Sequence, residues 1–213
     1  MGVNPMQLYS YCKSSASYRV RIALNLKHLN YSLIPVNLLK DEQNSKEYRE
    51  KNPMGLVPAL EVDGHILTQS LAILEWLDDN YPSPSIIPGD SYRKAQIRAT
   101  AYMVACDIQP IQNLRVLKHL IAEYEVDQSG KEKWIKHWIS MGFDAVERNI
   151  EAAPFCFGEH PSMADICLIP QTYNARRFNL DMDKYPKISR VVGTCHQLEA
   201  FEKAKPENQP DMY

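Results

Sequence analysis

The chain lacks the patterns that would send it to several common classes. Its five cysteines (Cys12, Cys106, Cys156, Cys167, Cys195) are odd in number and scattered, with no Cys-x-x-Cys pair and no Cys/His spacing suited to zinc. That excludes a zinc ribbon and a disulfide framework, and it fits free thiols in a reducing, cytoplasmic compartment. The six histidines form no His-x-x-x-His pair, so no metal is expected. No apolar run approaches the length of a membrane span. Residues 1–6, Met-Gly-Val-Asn-Pro-Met, lack the basic and then apolar order of a secretory leader, and Met6 is an alternative start. With 24 Lys+Arg against 26 Asp+Glu, a net charge of −2 gives no reason to expect nucleic acid or a membrane surface as partner. No internal repeat or low-complexity stretch is present.

What is present is 213 residues of ordinary globular composition, 45% hydrophobic and 23% charged, enough for one large domain or two small ones. Up to about Asn80 strands and helices alternate. Gln7–Tyr9 reads as a strand and 18–29 as a helix. Residues 31–36 form a second strand, where Pro35 suits an edge. Residues 45–50 form a short polar helix. Ala59–Val62 and 65–67 flank Asp63-Gly64, the strongest short hairpin signal. Gln69-Ser70 then opens a helix bearing Leu71, Ile73, Leu74 and Leu77. The order βαβαββα is that of a thioredoxin-like domain, here assigned to residues 5–84.

The breaker-rich stretch Pro82-Ser83-Pro84-Ser85 and Pro88-Gly89-Asp90 reads as a connector. Beyond it the periodicity is helical, giving an all-α domain over 90–213. Ile97, Ala101, Val104, Ala105 and Ile108 share one helix face; Trp134, Trp138, Met141, Ala145 and Ile150 mark another. Ser162-Met163-Ala164-Asp165 is a helix-start signal with Asp165 in the capping-box position. The tail from Lys203, with Pro206 and Pro210, is expected to be irregular.

The run Tyr11-Cys12-Lys13-Ser14-Ser15-Ala16-Ser17-Tyr18-Arg19-Val20-Arg21-Ile22-Ala23-Leu24 carries the chemistry. A strand ends in a hydroxyl cluster that opens a helix. One serine suffices as a cap; several exceed that need. A helix N-terminus also offers free N–H groups and partial positive charge, which can hold an anion such as a thiolate.

Three features occur in order on this unit: the hydroxyl cluster, the segment Asn52-Pro53-Met54-Gly55-Leu56-Val57-Pro58-Ala59-Leu60, and Gln69-Ser70-Leu71-Ala72-Ile73. Their arrangement resembles the glutathione transferases over nearly the whole chain. Ser-Ser-x-Ser-x-Arg-Val-Arg-Ile-Ala-Leu and Asp107-Ile108-Gln109-Pro110-Ile111-Gln112-Asn113-Leu114 resemble the zeta class, which includes maleylacetoacetate and maleylpyruvate isomerases. The resemblance implies glutathione as cofactor and a homodimer. It implies that Ser14, with Ser15 behind it, donates to the glutathione sulfur and favours the thiolate. Ala16, Ser17, Tyr18 and Arg19 belong to the same motif; Arg19 is either part of the site or a structural partner of acidic residues. Val57, before a cis Pro58, would pair with the cysteinyl part of glutathione. Gln69 and Ser70 would take the γ-glutamyl carboxylate, with Ser70 also an N-cap. Gln43, Gln109 and Asn113 match further glutathione positions, beside Leu114 and Arg115.

The activity so implied is cis–trans isomerisation of a maleyl acid by reversible addition of glutathione thiolate to its double bond. The substrate's carboxylates call for cations, and the candidates are Lys13, Arg115, Arg176 and above all Arg177. Gln109 and Leu114 stand where maleylpyruvate isomerases present more basic groups, which favours maleylacetoacetate and a place in tyrosine and phenylalanine breakdown. Maleylpyruvate, a broader transferase activity on α-haloacids or other electrophiles, and a non-catalytic glutathione-binding protein stay open as alternatives. Ala16 departs from the family's usual cysteine, which puts chemistry through a protein thiol in doubt. Cys12 lies before the helix start, out of register to replace it.

Overall fold

β1 (Met6–Ser10), four of whose five residues are buried, is an interior strand whose backbone groups are paired on both edges. The computed structural model describes residues 6–212; Pro5, where the first domain is expected to begin, and Tyr213 lie outside the described residues. β1 pairs in parallel with β2 (Tyr31–Pro35) and antiparallel with β3 (Ala59–Val62), which pairs antiparallel with β4 (His65–Thr68). The sheet order β2-β1-β3-β4 puts Pro35 on an edge strand, where its missing N–H costs nothing. Asp63 and Gly64 both have positive φ (49° and 80°), as a two-residue hairpin turn requires. Leu8, Ala59 and Leu60 are wholly buried.

Three helices complete this part of the expected order: α1 (Ser15–Leu26), α2 (Lys46–Lys51, capped by Ser45) and α3 (Ser70–Asn80). α1 buries Val20, Ile22, Ala23 and Leu24. The thioredoxin-like sheet with its helices is therefore as the strand and helix rhythm indicates. Just past the end of α1, Lys27 is sealed from solvent. Its ammonium donates to Asp78 Oδ1 (2.9 Å) and to the carbonyls of Tyr81 (2.6 Å) and Pro84 (2.8 Å). Asp78 in turn accepts from Ser85 Oγ and the Ile86 N–H. This network fixes where the breaker-rich connector leaves α3.

The chain divides into two compact units. The first runs to Ile86 and resumes at Gln197; the second is Ile87–His196. The tail thus differs from its sequence reading, which placed all of 90–213 in the helical part and left the chain irregular from Lys203. It forms α9 (Glu199–Ala204) and a 3₁₀ turn (Pro206–Asn208), and α9 packs on α1. Phe201 and Ala204 are fully buried, and Asn25 Nδ2 donates to the Ala200 carbonyl at 3.0 Å. Six residues are too few to display a helical period, so tertiary contacts hold this helix.

The second unit contains α4 (Ser91–Tyr102), α5 (Leu114–Tyr124), α6 (Gln128–Asn149), α7 (Met163–Arg177) and α8 (Pro186–Cys195). The expected face of α4 does not continue as one α-helix. Met103–Ile108 forms a π turn, with the Gln109 N–H reaching the Val104 carbonyl. Ile108 then fills the notch left by Gly142 on α6, where a Cβ would collide with Ile108 Cδ1. On α6 the buried face is Ile135, Ile139, Phe143 and Val146, one residue round from the expected one. Trp134 and Trp138 are half-buried and Met141 is 53% exposed, because Trp134 uses its ring N–H to bind the Ile111 carbonyl (2.9 Å) at the margin of the core. At the start of α7 the buried Asp165 carboxylate accepts from the N–H groups of Ser162 and Cys156 and from Ser162 Oγ, as its capping position implies. Among the described residues no helix is long and apolar enough to cross a membrane.

Replacing Lys27 by Met leaves the carboxylate of Asp78 buried without its cation. Urea unfolding should show a loss of about 3–5 kcal/mol, the cost of breaking a buried ion pair from one side.

Candidate functional site

The hydroxyl cluster sits where β1 hands over to α1. Ser14 is the N-cap of α1, with extended backbone, and its oxygen accepts from the Ser17 N–H at 3.2 Å. Capping occupies a lone pair and leaves the hydroxyl proton to donate elsewhere. Ser15 is buried and Ala16 half-buried in the first turn, whereas Ser17 and Tyr18 turn inward, at 0% and 2% exposure. Lys13 is half-buried beside them. Arg19, 1% exposed, donates from Nη1 to Ser70 Oγ at 3.2 Å, at the first residue of another helix. α1 is thereby linked to the first residue of α3.

Ser70 is the first residue of α3 rather than its cap. The N-cap position belongs to Gln69, whose side chain makes no capping bond. Gln69 has φ 68° and ψ 113°, outside the ordinary left-handed region. Such strain in a non-glycine residue costs about 1–3 kcal/mol and concentrates at ligand sites. The Val57–Pro58 peptide is cis and leads into β3. Val57 shares one apolar cluster with Tyr9, Tyr11, Cys12, Val36, Tyr48 and Ala59, so the proline segment and the β1–α1 loop rest on a common base. Tyr48 Oη and Asn52 Nδ2 both donate to the Leu56 carbonyl at 2.7 Å and hold the approach to Val57. These two positioning side chains were missed in the sequence; the turn signal Asn52-Pro53-Met54-Gly55 was the available hint. Gln43 donates to Asp41 Oδ1 (2.7 Å), while its Oε1 is buried with no hydrogen-bond partner.

The remaining candidates lie in the second unit. Gln109 closes the π turn, and Asn113 is the N-cap of α5, accepting from the Arg115 N–H at 3.2 Å. Leu114 and Arg115 are exposed. Arg176 and Arg177 are exposed on the last turn of α7, where cations suit the helix dipole, and the Arg177 guanidinium lies 5.5 Å from the Phe178 ring centre.

Residues 8–85 match the model of the glutathione S-transferase N-terminal domain, and residues 139–193 that of the C-terminal domain. The chain is 46% identical over 209 residues to a probable maleylacetoacetate isomerase of Vibrio cholerae, covering 96% of this chain and 97% of that one. It is 42% identical to a maleylpyruvate isomerase of Ralstonia sp, covering 97% and 99%. Among solved structures, a holo maleyl pyruvate isomerase described as a zeta-class bacterial glutathione-S-transferase superposes with a TM-score of 0.95 at 41% identity (97% and 100% covered). The chain belongs to the glutathione transferase family, in its zeta class. A maleylacetoacetate isomerase of Anaeromyxobacter dehalogenans with glutathione bound in its active site superposes at 0.89 and 41% identity, covering 98% of each chain.

The first unit of this zeta-class transferase carries a serine hydroxyl at the start of α1, a side-chain bond from α1 to the first residue of α3, the strained Gln69 and the unmet Oε1 of Gln43. None of its own thiols is suited to act there. Burial, with the Asp211 carboxylate next, raises the pKa of Cys12, whose N–H and Sγ are engaged by Asp211. Burial likewise pushes Cys156 and Cys195 up. All five cysteines are free, and Cys106 alone of them is exposed. A chromogenic disulfide reagent should therefore titrate one thiol per chain in the native enzyme and five after denaturation; rapid reaction of a second native thiol would contradict the assignment.

Proposed function

We propose that the chain is a glutathione-dependent isomerase that converts maleylacetoacetate to fumarylacetoacetate in tyrosine and phenylalanine breakdown. The observation that carries the reading is the Ser14 hydroxyl, whose oxygen caps α1, on the helix that the Arg19–Ser70 bond joins to the start of α3. Ser14 would donate its proton toward the cofactor sulfur, with the N–H groups of the first turn and the helix dipole adding positive potential. Gln69 and Ser70 at the second N-terminus suit the γ-glutamyl carboxylate. The backbone of Val57 suits the cysteinyl segment in strand-like pairing, and Gln43 Oε1 would accept from an N–H of the tripeptide.

Glutathione supplies the thiolate that adds reversibly to the activated double bond and so permits rotation. The chain's part is to keep that sulfur ionised and to neutralise charge gathering on the substrate's carbonyl and carboxylate oxygens. Arg177, with Arg176, Arg115 and Lys13, are the cations proposed for the second task. Gln109 and Asn113 are proposed as further glutathione contacts. With Ala16 in place of a cysteine, the isomerisation needs no protein thiol. Five free cysteines fit a reducing cytoplasm, and the zeta class suggests a homodimer of the 24.5 kDa chain, which light scattering would test.

The deciding assay is glutathione-dependent turnover of maleylacetone with maleylpyruvate in parallel. Fast turnover of the first supports the reading. Preference for the second would move the enzyme to maleylpyruvate isomerisation, and retention on immobilised glutathione without turnover of either would leave another electrophile. Ser14→Ala should lower kcat about a hundredfold, the range for removing a donor from a developing anion. Its stability should fall by about 1 kcal/mol, since the cap is lost as well. Gln69→Gly should weaken glutathione binding about tenfold without lowering Tm, because glycine adopts φ 68° freely while the amide contacts are lost.

A further inference from the structure

The segment that delivers Ser14 is gripped from the far end of the chain. Residues 10–12 carry β1 into the turn before α1, and two buried side chains hold them. Arg21, with no solvent exposure, donates from Nη1 to Ser10 Oγ (3.1 Å) and the Tyr11 carbonyl (3.4 Å), and from Nη2 to the Cys12 carbonyl (2.9 Å). Its Nε reaches the Ala204 carbonyl of α9 at 3.0 Å. Asp211, 3% exposed, takes the other side of the segment. Its Oδ2 accepts from the Cys12 N–H at 2.8 Å, and its own carbonyl accepts from Cys12 Sγ at 3.3 Å. The Tyr11 carbonyl that Arg21 holds also accepts the Ser14 N–H at 3.0 Å.

Every backbone polar group between the strand and Ser14 named above is thus committed to a buried charge or to the cap itself. A carboxylate–amide bond is about twice as strong as a neutral one, and a buried one has few alternative geometries. Cys12 and Asp211 are 199 positions apart, and Ser14 lies two residues beyond Cys12. A shift of the Cys12 peptide moves Ser14 directly; Cys12 also belongs to the apolar cluster against which Met212, the neighbour of Asp211, packs.

We propose that Asp211 is a positioning residue for Ser14: the C-terminal tail, through the Asp211–Cys12 contact, sets where the sulfur-binding hydroxyl stands. The proposal rests on Ser14 being the group that stabilises the thiolate. Asp211 itself touches no reactant.

The test measures the pH dependence of the ultraviolet thiolate absorbance of bound glutathione, together with kcat and KM for maleylacetone. Wild type is compared with Asp211→Ala, Asp211→Asn, Asp211→Glu and Ser14→Ala. Asp211→Ala should raise the apparent pKa of the bound thiol and lower kcat about tenfold, the scale expected when a catalytic group is slightly misplaced, with KM within about twofold. Asp211→Asn, which keeps an acceptor oxygen for the Cys12 N–H, should restore most of both. Asp211→Glu keeps the charge but displaces the acceptor, so it should resemble the alanine variant, and it serves in its place if that variant fails to fold. Wild-type thiol pKa and kcat in folded Asp211→Ala or Asp211→Glu would overturn the proposal, as would variants that lower Tm alone. If Ser14→Ala itself leaves the thiol pKa and kcat unchanged, the assignment of Ser14 fails and the proposal falls with it. A loss confined to Ser14→Ala would leave that assignment standing and remove only the role of Asp211.

Discussion

The guanidinium of Arg21 sits in the interior of the first unit with no access to water, and a buried cation is tolerable only where acceptors surround it. Burial pulls its pKa down to about 10, so it stays charged at neutral pH and must keep its acceptors. They come from three places at once: the end of β1, the turn before α1 and the last residue of α9. The Tyr18 ring, 5.2 Å away, lies along the same helix. Any chain path that opened this turn would strand several donors, so one desolvated cation fixes where the strand stops and the helix starts.

The position of the helix start matters because it places Ser14, the residue proposed to meet the glutathione sulfur. Ser14 caps α1 with its oxygen and keeps its proton, and a capping residue becomes a donor without any loss of helix stability. The Arg19–Ser70 bond links α1 to the first residue of α3. Gln69 is held in a backbone conformation that its own sequence would not choose. The folded surroundings enforce it, as they do where a ligand has to be met at a set angle.

Not all of this was legible in the chain. Asp63-Gly64, Pro35 and the Ser162/Asp165 pair act over one to four residues, and each turned out where its local chemistry placed it. Periodicity did less well. The tryptophans of α6 drew the expected helix face one residue away from Ile135, Ile139 and Phe143, because an indole counts as apolar in the pattern while both rings are only half-buried. The face through Ile97, Ala101, Val104 and Ile108 is buried as its spacing indicates, although its last two members stand in a π turn that the spacing did not show.

Local signals in the sequence were enough for the strand and helix order, the hairpin, the family and the serine at the helix start. Each depends on φ preferences, caps or motif spacing within a few neighbouring residues. The folded chain alone brought Asp211 to Cys12 and Ala204 to Arg21, across 199 and 183 positions. It also paired Ser70 with Arg19 and rotated Gln69 into strain. No pattern in a linear chain encodes such contacts. They exist because a buried charge takes its acceptors from whatever backbone the packing of the whole unit places around it.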